Sequence, residues 1–510
     1  MKQYLARPIQ RSFNRLLCSS PTASAPSHPA KGAVGLVKNQ EVPLPGVCLQ
    51  SKAGPSPRIL IVGAGLAGLG AAYFLKQAGL SADIFEASDR CGGRLMTLPD
   101  FFGANVLTEL GGEYIDADHQ DVLDLARAFR LELVDFREDD FGMDPMVWIE
   151  GRRYSERDIE AALKPFLPRL LEDMAKLPED PDDMSYRNPG SWAVLDQFSI
   201  VEYLEAIGIR GWLAELLCTR ATSYFTQAAN RQSAINLFFL LGLPAAREQK
   251  GERLDRAYKI KAGNQALADA LAQPLQDSLA LEHTLVEIHK TAQGFRAVFA
   301  HRDAELAVEC DYLVLTLPFT CLRKVRTIGF EWSPVKGRCI QELGYGNGGK
   351  AVFGADDRVW RKYGCNGWFH AVNHNCSGWD SSRMQHSSSA SLTFFGGGRF
   401  GQDVATLPQA DLYKKYYSSL DVAWPGLLEA ANGRIHSFSW ESCPFSRGSY
   451  SVYAPGQWTA FAGVEKEPEG NILFAGEHCS LRYQGYMNGA VFSGHRAAEY
   501  IIKNTHLFTA

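Results

Sequence analysis

The stretch from Arg58 to Glu86 limits the fold more than any other part of the chain. Arg58-Ile-Leu-Ile-Val62 is a nearly continuous apolar run, as expected of a central parallel strand covered on both faces. It leads straight into Gly63-Ala-Gly65-Leu66-Ala67-Gly68, then a helical pattern from Leu69 to Ala78 that Gly79 ends, then a second strand, Ser81-Ala-Asp-Ile-Phe-Glu86. That order is a βαβ unit with a glycine-rich first turn. Gly63 permits the tight turn, Gly65 lets a pyrophosphate approach the backbone, and Gly68 lets the helix pack closely on the strand. The phosphates would meet the helix N-terminus, where unpaired N–H groups and the dipole favour negative charge. Glu86, about 20 residues on, is placed to accept hydrogen bonds from the ribose hydroxyls of an adenosine. A carboxylate there would also repel a 2′-phosphate.

Composition narrows the class. A chain of 510 residues exceeds the ~100–200 of a typical domain, which calls for at least two domains or one large composite. With 46% hydrophobic and 21% charged residues, disorder is excluded as an overall description. The 57 acidic against 52 basic residues leave no global attraction to a phosphate backbone, so no nucleic-acid partner is expected. None of the 11 cysteines forms a C-x-x-C pair, and no metal site is expected. No window approaches the ~20 apolar residues of a membrane span. The longest candidate, Leu237 to Leu243, has the length of a core helix, so no membrane partner is expected.

Residues 1–57 stand apart. Positions 1–40 hold six Lys/Arg and no Asp or Glu, and include a Ser/Pro/Ala-rich stretch, Ser19 to Ala30, that cannot bury enough apolar surface to fold. Drawn as a helix, Leu5, Ile9, Phe13 and Leu16 share a stripe opposite Arg7, Arg11 and Arg15, the pattern of an organellar presequence. A decayed twin-arginine export signal is a second reading, although Ala33 to Val37 is too short and too late for its apolar core. A plain solvated tail on a cytoplasmic protein is the third. The expectation is cytoplasmic, with organellar or exported as the alternative.

Beyond the first turn the chain resembles a family. Glu86-Ala87-Ser-Asp-Arg-Cys-Gly-Gly93-Arg94 is similar to the E-A-x-x-R-x-G-G-R segment of the flavin-containing amine oxidases, which include monoamine, polyamine and L-amino-acid oxidases. Glu109-Leu-Gly111-Gly112-Glu113-Tyr114-Ile115 resembles their next loop, which passes close to the isoalloxazine. Cys310 to Pro318 resembles their internal strand and turn, and Val286 matches the valine whose backbone meets the adenine. The most specific match is at the end: Asn471-Ile-Leu-Phe-Ala-Gly476-Glu477-His, then Gly485-Tyr486-Met487-Asn-Gly-Ala490-Val491. The resemblance implies FAD as cofactor, with Glu477 on the ribityl chain and the helix from Met487 aimed at the flavin N1–C2 edge. A helix N-terminus stabilises the negative charge that reduction places there. It also implies an α/β fold, a Rossmann-like FAD-binding domain of the glutathione-reductase type interleaved with an α+β substrate domain.

Amine oxidation asks little acid–base chemistry of a protein, which must exclude water and aim one C–H bond. Trp440 to Gly456 resembles the family's substrate-site strand. Ser449 stands where monoamine oxidases carry the cysteine bonded to flavin; serine cannot form that thioether, so non-covalent FAD is expected. By the same resemblance Tyr450 and Tyr486 form an aromatic cage, Trp440 lies near the flavin, and Lys350 holds a water at N5. One departure bears on substrate. L-amino-acid oxidases carry a carboxylate-clamping arginine in the loop that here reads Gly111-Gly112-Glu113-Tyr114. Its absence argues for an amine without an α-carboxylate, and Glu113 is read as favouring a cationic amine, with Arg447 or Arg482 left as other carboxylate partners.

The expected organisation is 58–115, 250–330 and 465–505 for the FAD-binding domain, and 116–249, mainly helical, with 331–464, mainly sheet, for the substrate domain. The expected reaction takes a primary or secondary amine and O2 to an imine and H2O2. An L-amino-acid oxidase is the alternative, then a flavin desaturase or isomerase acting on an apolar substrate, then a binding module with structural FAD. A homodimer is left open.

Overall fold

The computed structural model describes residues 56–139, 143–242 and 257–505, so the basic N-terminal segment falls almost wholly outside the described residues. A five-stranded parallel sheet is built from β1 (Ile59–Val62), β2 (Asp83–Phe85), β3 (Leu279–Ala280), β4 (Tyr312–Leu315) and β5 (Ile472–Phe474). Its order is β3-β2-β1-β4-β5, with β1 and β4 in register from Ile59 opposite Tyr312 to Val62 opposite Leu315. Every residue of β1, β4 and β5 is buried, which is why these strands read as continuous apolar runs rather than as alternation.

Helix α1 (Leu66–Gln77) starts three residues before the expected Leu69, because extended Gly65 already serves as its N-cap. The last helix, α3 (Met487–Thr505), lies against it. That approach depends on Gly494, where a Cβ would sit 2.3 Å from the Ala67 carbonyl oxygen. Segments almost 430 residues apart in sequence therefore meet beside the first turn of the sheet.

The second layer is a seven-stranded sheet in the order Ala431–Ser439, Gly349–Ala355, Ala390–Gly396, Cys376–Asp380, Cys365–Ala371, Asp144–Ile149, Arg152–Tyr154. All its pairs are antiparallel except Cys365–Ala371 with Asp144–Ile149. Helix α2 (Gly211–Phe225) packs against the sheet, and Ile200–Ala206 and Ile235–Leu241 pack against α2. Residues 116–249 are thus not purely helical: Asp144–Ile149 and Arg152–Tyr154 add two strands to the edge of the large sheet. The short Met-Val-Trp-Ile run of the first satisfies a pleated, half-buried surface that the Leu/Ala periodicity of the flanking helices obscures. Among the described residues no helix is long and apolar enough to cross a membrane.

Candidate active site

A cavity of about 700 Å³ runs from the β1–α1 turn to the seven-stranded sheet. Gly63, Gly65, Leu66, Ala67, Glu86 and Ala87 line one end. The Gly63 backbone has φ +106°, a region that side chains rarely adopt. Gly68 lies behind the lining: a Cβ there would sit 1.9 Å from the Gly63 carbonyl oxygen, so its hydrogen lets turn and helix touch. Gly65 offers no side chain to cap the first turn of α1, which leaves that turn to a ligand on the cavity side. Glu86 is buried, with one oxygen accepting from the Ala64 N–H at 2.7 Å and the other from the Ser88 N–H and hydroxyl. A carboxylate has about four acceptor positions, so it closes the turn and keeps capacity for a ribose.

In the middle, Gly93, Arg94, Gly111, Gly112, Gly476, Glu477, Gly485, Met487 and Ala490 border the cavity. Glu477 organises this region. Its Oε1 takes the Arg94 guanidinium at 2.9 Å and the Ser451 N–H, and its Oε2 takes the Ser451 hydroxyl and the Gly485 N–H, both at 2.8 Å. Burial opposes its charge, but Arg94 and these donors outweigh burial and hold the carboxyl below its ordinary range. Arg94 also donates to the Ser449 carbonyl at 2.6 Å, joining the FAD-side and substrate-side strands.

At the far end Lys350, Trp440, Ser449, Tyr450 and Tyr486 line the cavity with Phe395 and Phe438. The Trp440 indole N–H donates to the Leu110 carbonyl at 3.0 Å, which fixes its ring. The Ser449 hydroxyl is engaged with Thr226 and donates to the Gly346 carbonyl at 3.0 Å. The Tyr450 hydroxyl donates to the Tyr224 carbonyl at 2.7 Å, and the Tyr486 hydroxyl bonds that of Tyr224 at 3.2 Å. One residue of α2 therefore holds both cavity tyrosines. Burial pushes both phenols well above their ordinary pKa, so they stay neutral.

Lys350, on the fully buried strand Gly349–Ala355, donates to the carbonyls of Glu109 at 2.6 Å and Gly111 at 3.1 Å and to Glu113 Oε2 at 2.8 Å. Burial lowers its pKa against the opposing pull of Glu113. Glu113 does not line the cavity. It is 1% exposed and bridges Lys350 to Lys259, whose Nζ lies 2.9 Å from Oε1, which corrects the reading of Glu113 as an attractor for a cationic amine. Tyr114 also points elsewhere, into a cluster with Phe136, Trp368 and Trp379. Val286 stays outside the lining, although His283, Thr284 and Leu285 beside it border the cavity. Of the two other arginines, Arg447 lines the cavity, while Arg482 pairs with Asp180 and does not line it.

Sequence reasoning missed Tyr224, Thr226, Ser451 and Lys259. Each acts through a partner more than 25 residues away; Tyr224, Thr226 and Lys259 lie outside every motif, and Ser451, though inside the Trp440–Gly456 segment, shows its role only once Glu477 is brought to it.

The cavity, its glycine-lined turn at the uncapped start of α1 and the spare acceptor capacity of Glu86 suit FAD, which is the chain's cofactor. Comparison with known proteins agrees. The family model for flavin containing amine oxidoreductases matches residues 66–502. Flavin-containing amine oxidase B of Sus scrofa is 24% identical over 473 residues, covering 87% of this chain and 86% of that protein. An L-amino-acid oxidase of Demansia vestigiata is 24% identical over 479 residues, covering 86% of each. Among solved structures, cyclohexylamine oxidase from Brevibacterium oxydans IH-35A superposes with a TM-score of 0.75 at 19% identity, over 89% of this chain and 100% of that one. The chain belongs to the flavin-containing amine oxidoreductases.

Proposed function

We propose that the protein is an oxidase that converts a primary or secondary amine to an imine, which water hydrolyses to an aldehyde or ketone. Bound FAD would supply the redox chemistry, a hydride acceptor for the carbon bearing the nitrogen, with O2 as the final acceptor and H2O2 as its product. The observation that carries this reading is the pair Tyr450 and Tyr486, both lining the cavity and both held by Tyr224. Two fixed rings flank a small amine and orient its C–H bond, and as neutral phenols they supply no anion to hold it as an ammonium. Trp440, Phe395 and Phe438 exclude water beside them. FAD is held without a covalent bond, since the residue at the attachment position is Ser449, whose hydroxyl is occupied by Thr226 and Gly346. The FAD-binding part is assembled from about 58–115, 250–330 and 465–505, and the substrate part from 116–249 and 331–464.

Peroxide release from a panel of arylalkylamines, polyamines and amino acids tests the substrate class. Activity on amines without a carboxylate is expected. An L-amino-acid oxidase is the second reading, supported by Arg447 in the cavity lining and by the name of the Demansia relative; activity confined to amino acids would select it.

A further inference from the structure

Four charged side chains are buried together beside the reacting end of the cavity: Glu109, Glu113, Lys259 and Lys350 are all 5% exposed or less. Lys350 alone reaches the lining. Its ammonium has three donors, and three protein acceptors take them: the carbonyls of Glu109 and Gly111 and one oxygen of Glu113. The other oxygen of Glu113 takes Lys259, whose Nζ also donates to the Ser381 carbonyl at 3.0 Å and stands 5.2 Å from the Phe136 ring centroid. Glu113 is thus a carboxylate shared between two ammonium groups, with Lys350 at the cavity and Lys259 behind it.

The charge balance of this row is informative. One lysine would neutralise the charge of Glu113, and a neutral donor could meet its second oxygen; a second buried ammonium brings a further desolvation penalty that charge balance at Glu113 does not need. With Lys259 in place, two ammonium charges and one carboxylate leave one net positive charge. Glu109, the remaining carboxyl of the cluster, accepts from Thr97 and from the Asn264 N–H, and burial pushes it up to about 7, so below neutrality it adds little negative charge.

We propose that Lys259 is a positioning residue for the redox half of the site: by neutralising Glu113 from behind, it leaves the charge of Lys350 uncompensated in the wall of the FAD cavity. In a buried, low-dielectric setting that net charge favours the negative charge which reduction adds to FAD. The proposal rests on FAD occupying this cavity and not on which amine is oxidised.

The test is the midpoint potential of the holoenzyme, measured against a reference dye without any amine, at about pH 6, where Glu109 is mostly protonated. Lys259→Met removes the net charge, and its potential is expected below that of the wild type; Lys259→Arg is expected to restore it. Glu113→Gln leaves both lysines unneutralised, and its potential is expected above wild type. The double variant Lys259→Met/Glu113→Gln returns to one net positive charge and is expected to sit near the wild type, whatever each single change does to stability. A wild-type potential in Lys259→Met overturns the proposal. If Lys259→Met fails to hold FAD, the comparison of Glu113→Gln with the double variant decides: a lower potential in the double variant supports the proposal, and equal potentials overturn it. A lost peroxide signal with the expected order of potentials would count against the substrate assignment alone.

Discussion

The Tyr224 hydroxyl lies 3.2 Å from that of Tyr486, across 262 residues of chain, behind the wall that Tyr486 gives the FAD cavity. Tyr224 also accepts the Tyr450 hydroxyl on its backbone carbonyl. Tyr224→Phe cuts the first link and spares the second. The expected result is a several-fold fall in kcat/KM for amines, with a stability loss of about 1 kcal/mol, typical of one hydrogen bond. Steady-state kinetics with a denaturation curve checks both; unchanged kinetics would show that the Tyr486 ring is held by packing alone.

A half-buried Arg94 pairs at 2.9 Å with the buried carboxylate of Glu477, which also ties Ser451 and Gly485 to the cofactor region. Removing the guanidinium leaves a buried carboxylate without its cation, a loss of about 3–5 kcal/mol in comparable pairs. Arg94→Met is therefore expected to weaken FAD binding at least about tenfold, a change of ~1.4 kcal/mol or more. Titration of the apoprotein with FAD, followed by quenching of flavin fluorescence, reads this directly.

His478 makes acid stability a further test. It is fully buried against the Phe319 ring at 4.4 Å, and burial lowers its pKa from 6.5 to about 4. A depressed folded-state pKa means the unfolded chain binds the proton first, so this contribution is complete above pH 6.5 and is lost as pH falls toward 4. The loss amounts to about 3 kcal/mol at most. Glu109 and Glu465, each raised by burial to about 7, act in the opposite sense over part of that range. The His478 share is therefore read as wild type minus His478→Phe: the variant is expected to lose less stability between neutral and acid pH, and parallel curves would contradict the assignment.

Gly68→Ala probes the turn itself. The new methyl would lie 1.9 Å from the Gly63 carbonyl oxygen, so the helix must move off the strand. Overpacking of this kind costs about 1–3 kcal/mol, and the displaced turn is expected to lose FAD as well. Flavin content on purification and the denaturation midpoint measure the two effects.

The parts of this site that were legible in sequence are those whose chemistry sits within a few residues. The Gly63–Gly68 turn and Glu86 follow from local backbone needs, and Tyr450 and Tyr486 from the motifs around them. Glu113 shows the limit: beside Gly111 and Gly112 it reads as a substrate contact. Lys259 and Lys350, on strands that only the tertiary fold brings near, turn it into a buried bridge. Tyr224 was illegible for the same reason, being one aromatic residue among several on a buried helix. The edge strands at Asp144–Ile149 and Arg152–Tyr154 were missed because six- and three-residue runs carry little periodicity beside long amphipathic helices.

Anaerobic mixing of the FAD-loaded protein with an amine tests the oxidase assignment most directly, because it isolates the half-reaction that the cavity is proposed to perform. The visible absorption of the flavin is expected to bleach with at least one amine and to return, with peroxide, when O2 is admitted. No bleaching with any arylalkylamine, polyamine or amino acid would contradict the account and favour a flavin desaturase or isomerase acting on an apolar substrate.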